Sequence, residues 1–238
     1  MVNELIQVVY TNSNCKDVFP SFYLQNKKHC KLPLFTISDY DLTMNINKDN
    51  TYLYSNSDWY YSVWVNALSK FNYKYFIYLQ EDFILYDDVK EDVLNKYLQF
   101  LDNSEYSFVR LLKSGKLNNK LIYENLYEIE SNNENIFSMQ ATIWKTNDYI
   151  HLMNSAKSKG WLETDADYRK IMTDLNMKGL YHYNNEPKVG SNHSDSSVYP
   201  YIATAVVKGK WNFKEYGQYL DPILNENNVD ISKRGKNI

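Results

Sequence analysis

The segment that most restricts this 238-residue chain is Tyr75-Phe76-Ile77-Tyr78-Leu79, a continuous apolar and aromatic run that passes directly into Gln80-Glu81-Asp82. An unbroken run of this length, without polar alternation, fits a strand buried on both faces, as at the centre of a parallel sheet covered by helices. Carboxylates leaving such a strand are unusual. A desolvated carboxylate without partners costs several kcal/mol, so Glu81 and Asp82 must reach solvent, hydrogen-bond donors or a cation. A divalent metal carrying a diphosphate satisfies them, because Mg²⁺ and Mn²⁺ take one or two carboxylates and complete their shell with phosphate oxygens. The plainer alternative is that the pair caps the following turn or meets a surface lysine.

The rest of the chain supplies an α/β frame for that strand. Leu5 to Tyr10 reads as a buried strand ending in the polar loop Thr11-Asn12-Ser13-Asn14, and Leu34 to Ile37 as a second strand ending at Ser38-Asp39. Ser57 or Asp58 can cap a helix running to about Phe71, since Trp59, Val63, Leu68 and Phe71 recur at helical spacing. Further helices are predicted over 87–101, 148–156 and 164–177. Strands are predicted over 106–112, 121–129 and 136–144, and 199–207 alternates small and apolar residues. Strands and helices alternate early and mix later, which predicts one α/β domain over 1–224: a mixed central sheet with a Rossmann-like parallel N-terminal half, flanked by helices. The Asn- and Lys-rich end from 225 reads as a flexible C-terminal tail.

Composition closes off several functions. With 7 glycines and neither GxxxxGK[ST] nor GxGxxG, the chain lacks the backbone phosphate grips of P-loop and typical dinucleotide-binding proteins. A net charge of −3 with scattered Lys and Arg does not suggest a nucleic-acid partner. No long apolar run is present and the N-terminus lacks the order of a signal peptide, so a cytoplasmic protein without a transmembrane segment is expected, with Cys15 and Cys30 as free thiols.

Four stretches, taken together, resemble the small GT-A-type glycosyltransferases. Ser57 through Leu68 followed by Tyr75 to Phe83 looks like their helix, apolar strand and "lqEDf" variant of the DxD motif. Met139-Gln140-Ala141-Thr142-Ile143-Trp144-Lys145 is similar to their "qpaiWk" segment, Gly160-Trp161-Leu162-Glu163 to their "W-x-E", and Lys208-Gly209-Lys210-Trp211 to their "kGkW". The ordered set covers residues 55–212. The resemblance implies a GT-A-like domain that moves a sugar from a nucleoside diphosphate sugar to the hydroxyl of a glycan or other acceptor, assisted by Mn²⁺ or Mg²⁺.

It also implies roles. Asp82 holds the position of the metal-binding acid, while Gln80 stands where the family's first Asp would be, leaving Glu81 to take part instead. Glu163 matches the base of an inverting transfer, which takes the acceptor proton on the face opposite the diphosphate, with Asp165 as substitute. Either residue also suits a helix N-terminus on charge alone, and a retaining enzyme needs no such base. Thr11, Asn12, Asp39, Asp58 and Trp59 are candidates for donor contacts, Lys208 and Lys210 for the diphosphate, Trp161 and Trp211 for sugar stacking, and His193 for a late metal or phosphate ligand. The alternatives are a catalytically inactive GT-A-like carbohydrate-binding or assembly protein, which the Gln80 variant favours, and a two-carboxylate glycoside hydrolase.

Overall fold

The computed structural model describes residues 4–42, 50–157 and 164–238, with the backbone alone over 164–167. In chain order the first half holds β1 (Leu5–Thr11), α1 (Phe19–His29), β2 (Leu34–Ser38), β3 (Thr51–Leu53), α2 (Tyr60–Leu68), β4 (Tyr75–Gln80), β5 (Ile84–Leu85) and α3 (Glu91–Asp102). There follow β6 (Phe108–Arg110), β7 (Leu121–Tyr123), β8 (Leu126–Ile129), β9 (Thr142–Lys145), α4 (Thr146–Ala156), α5 (Thr164–Asp174) and β10 (Gly179–His182). The last part holds β11 (Lys188–Val189), β12 (His193–Ser194), β13 (Tyr201–Ile202), β14 (Val206–Val207), β15 (Lys210–Trp211) and α6 (Phe213–Glu226).

Among the described residues one sheet runs β3-β2-β1-β4-β9-β6-β10-β8-β7. Its first four strands are parallel, as expected of a Rossmann-like half, and β9 then pairs antiparallel with both β4 and β6. The mixed sheet flanked by helices is the fold that the residue pattern predicts. β4 lies at its centre, with Tyr75 to Leu79 all buried. Full burial of one large apolar side chain is worth about 1.5–3 kcal/mol, so this run is a main anchor of the core. On α3, Leu94, Tyr97, Leu98 and Leu101 form the buried stripe, while Glu91 and Asp92 occupy the first turn, where acids suit the helix dipole.

Some boundaries move for identifiable reasons. α2 starts at Tyr60, because Asp58 accepts from the Ser55 N–H at 2.8 Å and closes a turn ahead of the helix. The strand predicted over 136–144 begins only at Thr142, since the carbonyls of Asn135 and Ile136 accept from the buried Arg110 guanidinium at 2.8 and 3.2 Å and hold their segment as a loop. The stretch 199–207 divides between two ribbons: β13 pairs with β5, and β14 with β15. The segment beyond 225 lies against the body: Trp211 N–H donates to Gly235 O at 3.1 Å and Asn237 N–H to Trp211 O at 2.8 Å. Among the described residues no helix is long and apolar enough to cross a membrane.

Candidate active site at the carboxyl ends of the parallel strands

β1 and β4 run side by side with Tyr10 opposite Gln80, and the strand order diverges from them, β1 leading to β2 on one flank and β4 leading past β9 to β6 on the other. Such a divergence leaves a crevice outside the carboxyl ends of the strands, where open α/β sheets bind ligands. After β1, Asn12 caps a short 3₁₀ turn, its Oδ1 accepting from Asn14 N–H at 3.0 Å. That turn sets Cys15 beside Glu81. After β4, the chain turns through Glu81 and Asp82 before entering β5. A cleft of about 320 Å³ opens here, lined by Tyr10, Asn12, Cys15, Glu81, Asp82 and Arg234 among others.

Two further hollows adjoin it. One of about 550 Å³ shares Tyr10, Asn12, Cys15 and Tyr60 with it and adds Asp39, Tyr54, Asn56 and Asp58. The other, about 350 Å³, shares Gln80 and Met139 and adds Phe137, Ser138, Gln140 and Arg169. In the larger hollow the Tyr10 and Tyr54 rings stack at 5.4 Å, and Asp39 accepts from Ser13 Oγ at 2.9 Å through Oδ2. Its Oδ1 is buried with no partner among the described residues.

The acidic pair is energetically uncomfortable. Burial, and then the neighbouring Glu81 charge, push the Asp82 carboxyl up to about 8, against a facing Val206 N–H at 3.4 Å. Burial likewise raises Glu81, partly offset by the Cys15 thiol and by Arg234. Adjacent carboxylates with these partners suit a divalent cation, which would relieve both the desolvation and the mutual repulsion. Mg²⁺ or Mn²⁺ needs no further protein ligand if water and phosphate oxygens complete its shell.

Of the residues singled out in the sequence, the fold gathers Asn12, Asp39, Asp58, Gln80, Glu81 and Asp82 around this connected space. Others go elsewhere. Thr11 is fully buried in the sheet, and Trp211 is fully buried too, so no face of its ring is open to a sugar. Trp59 is half-exposed, set edge-on to Tyr61 at 6.0 Å, and is not among the lining residues. Lys208 and Lys210 are exposed on the β14–β15 turn, where only the intervening Gly209 reaches the cleft. His193 lines a separate hollow of about 500 Å³ with Lys113, Tyr183 and Lys188, which removes it from the Asp82 ligand set. Burial lowers its imidazole to about 4. Trp161 and Glu163 lie outside the described residues, and Asp165 belongs to the first turn of α5.

Sequence reasoning missed Tyr10, Tyr54, Cys15 and Arg234. Tyr10 is indistinguishable from the core residues of its own strand, and Arg234 stands in a polar stretch with no motif.

No family model matches the chain, and no curated protein matches it. Among solved structures the fold is similar to bifunctional IspDF from Campylobacter jejuni, with TM-score 0.46, 11% identity, and 82% of this chain and 52% of that chain covered. It is similar to a cytidylyltransferase from Leptospira borgpetersenii at TM-score 0.47 and 11% identity, covering 99% and 98%. It is also similar to S. aureus TarS 1-349 at TM-score 0.47 and 15% identity, covering 95% and 66%. The chain thus spans about half the length of the first of these.

Proposed function

We propose that this protein is a glycosyltransferase that binds a nucleoside diphosphate sugar in the connected clefts and transfers the sugar to a hydroxyl acceptor. The observation that carries the reading is the crowded Glu81–Asp82 pair at the carboxyl end of β4, Glu81 buried and Asp82 half-buried, with no basic side chain among the described residues bonded to either, opening into a space large enough for a nucleotide. Asp39, Asp58 and Tyr54 form the nucleoside end, since an unpartnered carboxylate oxygen and the Tyr54 ring, backed by Tyr10, suit a ribose and base. Asp82, with Glu81 beside it, would hold Mn²⁺ or Mg²⁺ against the phosphates, where the ion supplies positive charge to the leaving group.

In the transfer the acceptor oxygen bonds to the anomeric carbon while the bond from that carbon to the β-phosphate oxygen breaks. The electron pair leaves with the nucleoside diphosphate, and the acceptor proton passes to a carboxylate base, for which Glu163 is the candidate in an inverting reaction. The hollow beyond Gln80 and Met139 is the acceptor side, because it is the open space across Gln80 from the nucleoside end.

Calorimetry of the purified chain with a panel of UDP-, GDP- and dTDP-sugars, with and without Mn²⁺, tests the reading. Binding of at least one donor, strengthened by Mn²⁺, is expected, and silence across the panel overturns it. Binding without transfer to any of a set of glycan acceptors would identify an inactive carbohydrate-binding relative. Glu163→Gln should keep donor binding and lose about 10²–10⁴-fold in transfer rate. Full activity in that variant removes Glu163 from the mechanism.

A further inference from the structure

A diphosphate ester brings about two negative charges, and a divalent ion held by two carboxylates is already neutralised by them, so the leaving group needs a second source of positive charge. Lys208 and Lys210 point to that need in the sequence, but they are exposed on the β14–β15 turn and do not line the cleft. The cation that does line it alongside Glu81 and Asp82 is Arg234. It arrives from the far end of the chain. After α6, a 3₁₀ turn at Ile231–Lys233 and the Gly235–Trp211 and Asn237–Trp211 backbone bonds lay the C-terminal segment against the β15 strand as a strap.

The guanidinium is held in a fixed orientation. Its Nε and Nη2 donate to the two carboxylate oxygens of Asp17 at 2.6 Å each, and Nη2 also donates to the Asn14 carbonyl at 2.6 Å. Its Nη1 has a long 3.4 Å bond to the Gly209 carbonyl, and the guanidinium also meets the Cys15 thiol, which stands between it and Glu81 as a neighbour of both. A bidentate arginine–carboxylate pair fixes a plane as well as a position. One edge of Arg234 is therefore anchored by strong bonds, while the other is held only by weaker contacts in the cleft that Glu81 and Asp82 also line.

We infer that Arg234 is the phosphate-contacting cation of this site, presented by the C-terminal strap and oriented by Asp17, with its Nη1 edge donating to the leaving diphosphate. This rests on the donor reading above. The strap couples the two ends of the chain, Asp17 and Arg234 being 217 positions apart, so the phosphate subsite is complete only when the C-terminal segment is seated.

The test uses the full chain as wild type, Arg234→Ala, Arg234→Lys and Asp17→Ala, titrated calorimetrically with whichever UDP-, GDP- or dTDP-sugar the wild type binds and with the matching free nucleoside. Arg234→Ala is expected to weaken the nucleotide sugar by on the order of ten-fold or more, the scale of a lost charge-assisted hydrogen bond, without changing nucleoside binding. Arg234→Lys should recover part of the loss. Asp17→Ala, which breaks the same clasp but keeps the guanidinium, should lose clearly less than Arg234→Ala. Equal losses in those two variants, or an equal loss for the nucleoside, would show that Arg234 acts only by holding the strap and overturn the proposal. Unchanged binding in Arg234→Ala overturns it while leaving the donor reading intact, and a wild type that binds none of the panel overturns both.

Discussion

Glu186 and the Glu81–Asp82 pair are both withdrawn from water, yet their surroundings are opposite. Glu186 lies 2.7 Å from His182 Nε2, accepts from Ser197 Oγ at 2.6 Å and from its N–H at 3.2 Å, and accepts from Asn184 N–H. The other His182 nitrogen is 2.8 Å from the Tyr97 hydroxyl. Burial alone would raise the Glu186 carboxyl, but His182 and the other donors outweigh it and hold the group at about 2. Among the described residues Asp82 has backbone donors alone, Val206 N–H at 3.4 Å and those of Ala205 and its own residue, with another carboxylate next to it, and its carboxyl stands at about 8. A buried acid met by several donors pins a structure: here the end of β10 and the loop that follows it. One left short of partners raises the energy of the empty protein and stores attraction for a ligand.

Removing each acid should therefore act with opposite sign on stability. The largest expected effect is on transfer: Asp82→Asn should lower the rate by about 10²–10³-fold, as expected when a main electrostatic contact to the leaving group is lost. The same change should raise the unfolding free energy by about 1–3 kcal/mol at neutral pH, measured by urea denaturation, because it removes a buried, poorly paired carboxyl. A destabilised Asp82→Asn would break the comparison. Glu186→Gln should lose about 2–3 kcal/mol and leave donor affinity unchanged, since the change weakens the pair with His182 and Glu186 lines none of the three hollows around Glu81 and Asp82.

The pH dependence sharpens the contrast. Asp82 moves from 3.8 to about 8 on folding, so the folded protein binds more protons than the unfolded chain across that window and loses stability as pH rises through it. The stability gap between Asp82→Asn and the wild type should widen from about pH 4 to about pH 8 and then level off. Glu186 moves from 4.5 to about 2, so its contribution is present above about 4.5 and disappears as pH falls through 2, and Glu186→Gln should flatten that acid limb. The smallest effect belongs to the exposed lysines: Lys208→Ala and Lys210→Ala should each change donor affinity by about two-fold at most, as surface substitutions do. A larger loss would return the phosphate role to the β14–β15 turn.

The acidic pair and its strand were legible because both signals are local. A run such as Tyr75 to Leu79 reports burial on both faces, and carboxylates directly after it report an unmet electrostatic need. Asn12, Asp39 and Asp58 were legible for the same reason, as polar residues at the ends of short apolar runs. Thr11, Trp211 and His193 were misjudged because residue type and motif say which chemistry a side chain can do but not which way it faces. Thr11 and Trp211 turn inward, and His193 lies on a different hollow. Tyr10 and Tyr54 were overlooked for the converse reason: an aromatic that lines a hollow at a strand end looks, in sequence, like those that face the core.

By itself, then, the sequence determined the α/β frame, the central strand and the position of the carboxylates on it, because periodicity and burial act over a few residues along the chain. Only the tertiary structure decided what surrounds those carboxylates. The Tyr10–Tyr54 stack joins separate strand ends, and Arg234 is clasped by Asp17 from the opposite end of the chain. Contacts of that range arise from the folding of the whole sheet and leave no period or spacing in the residues that make them.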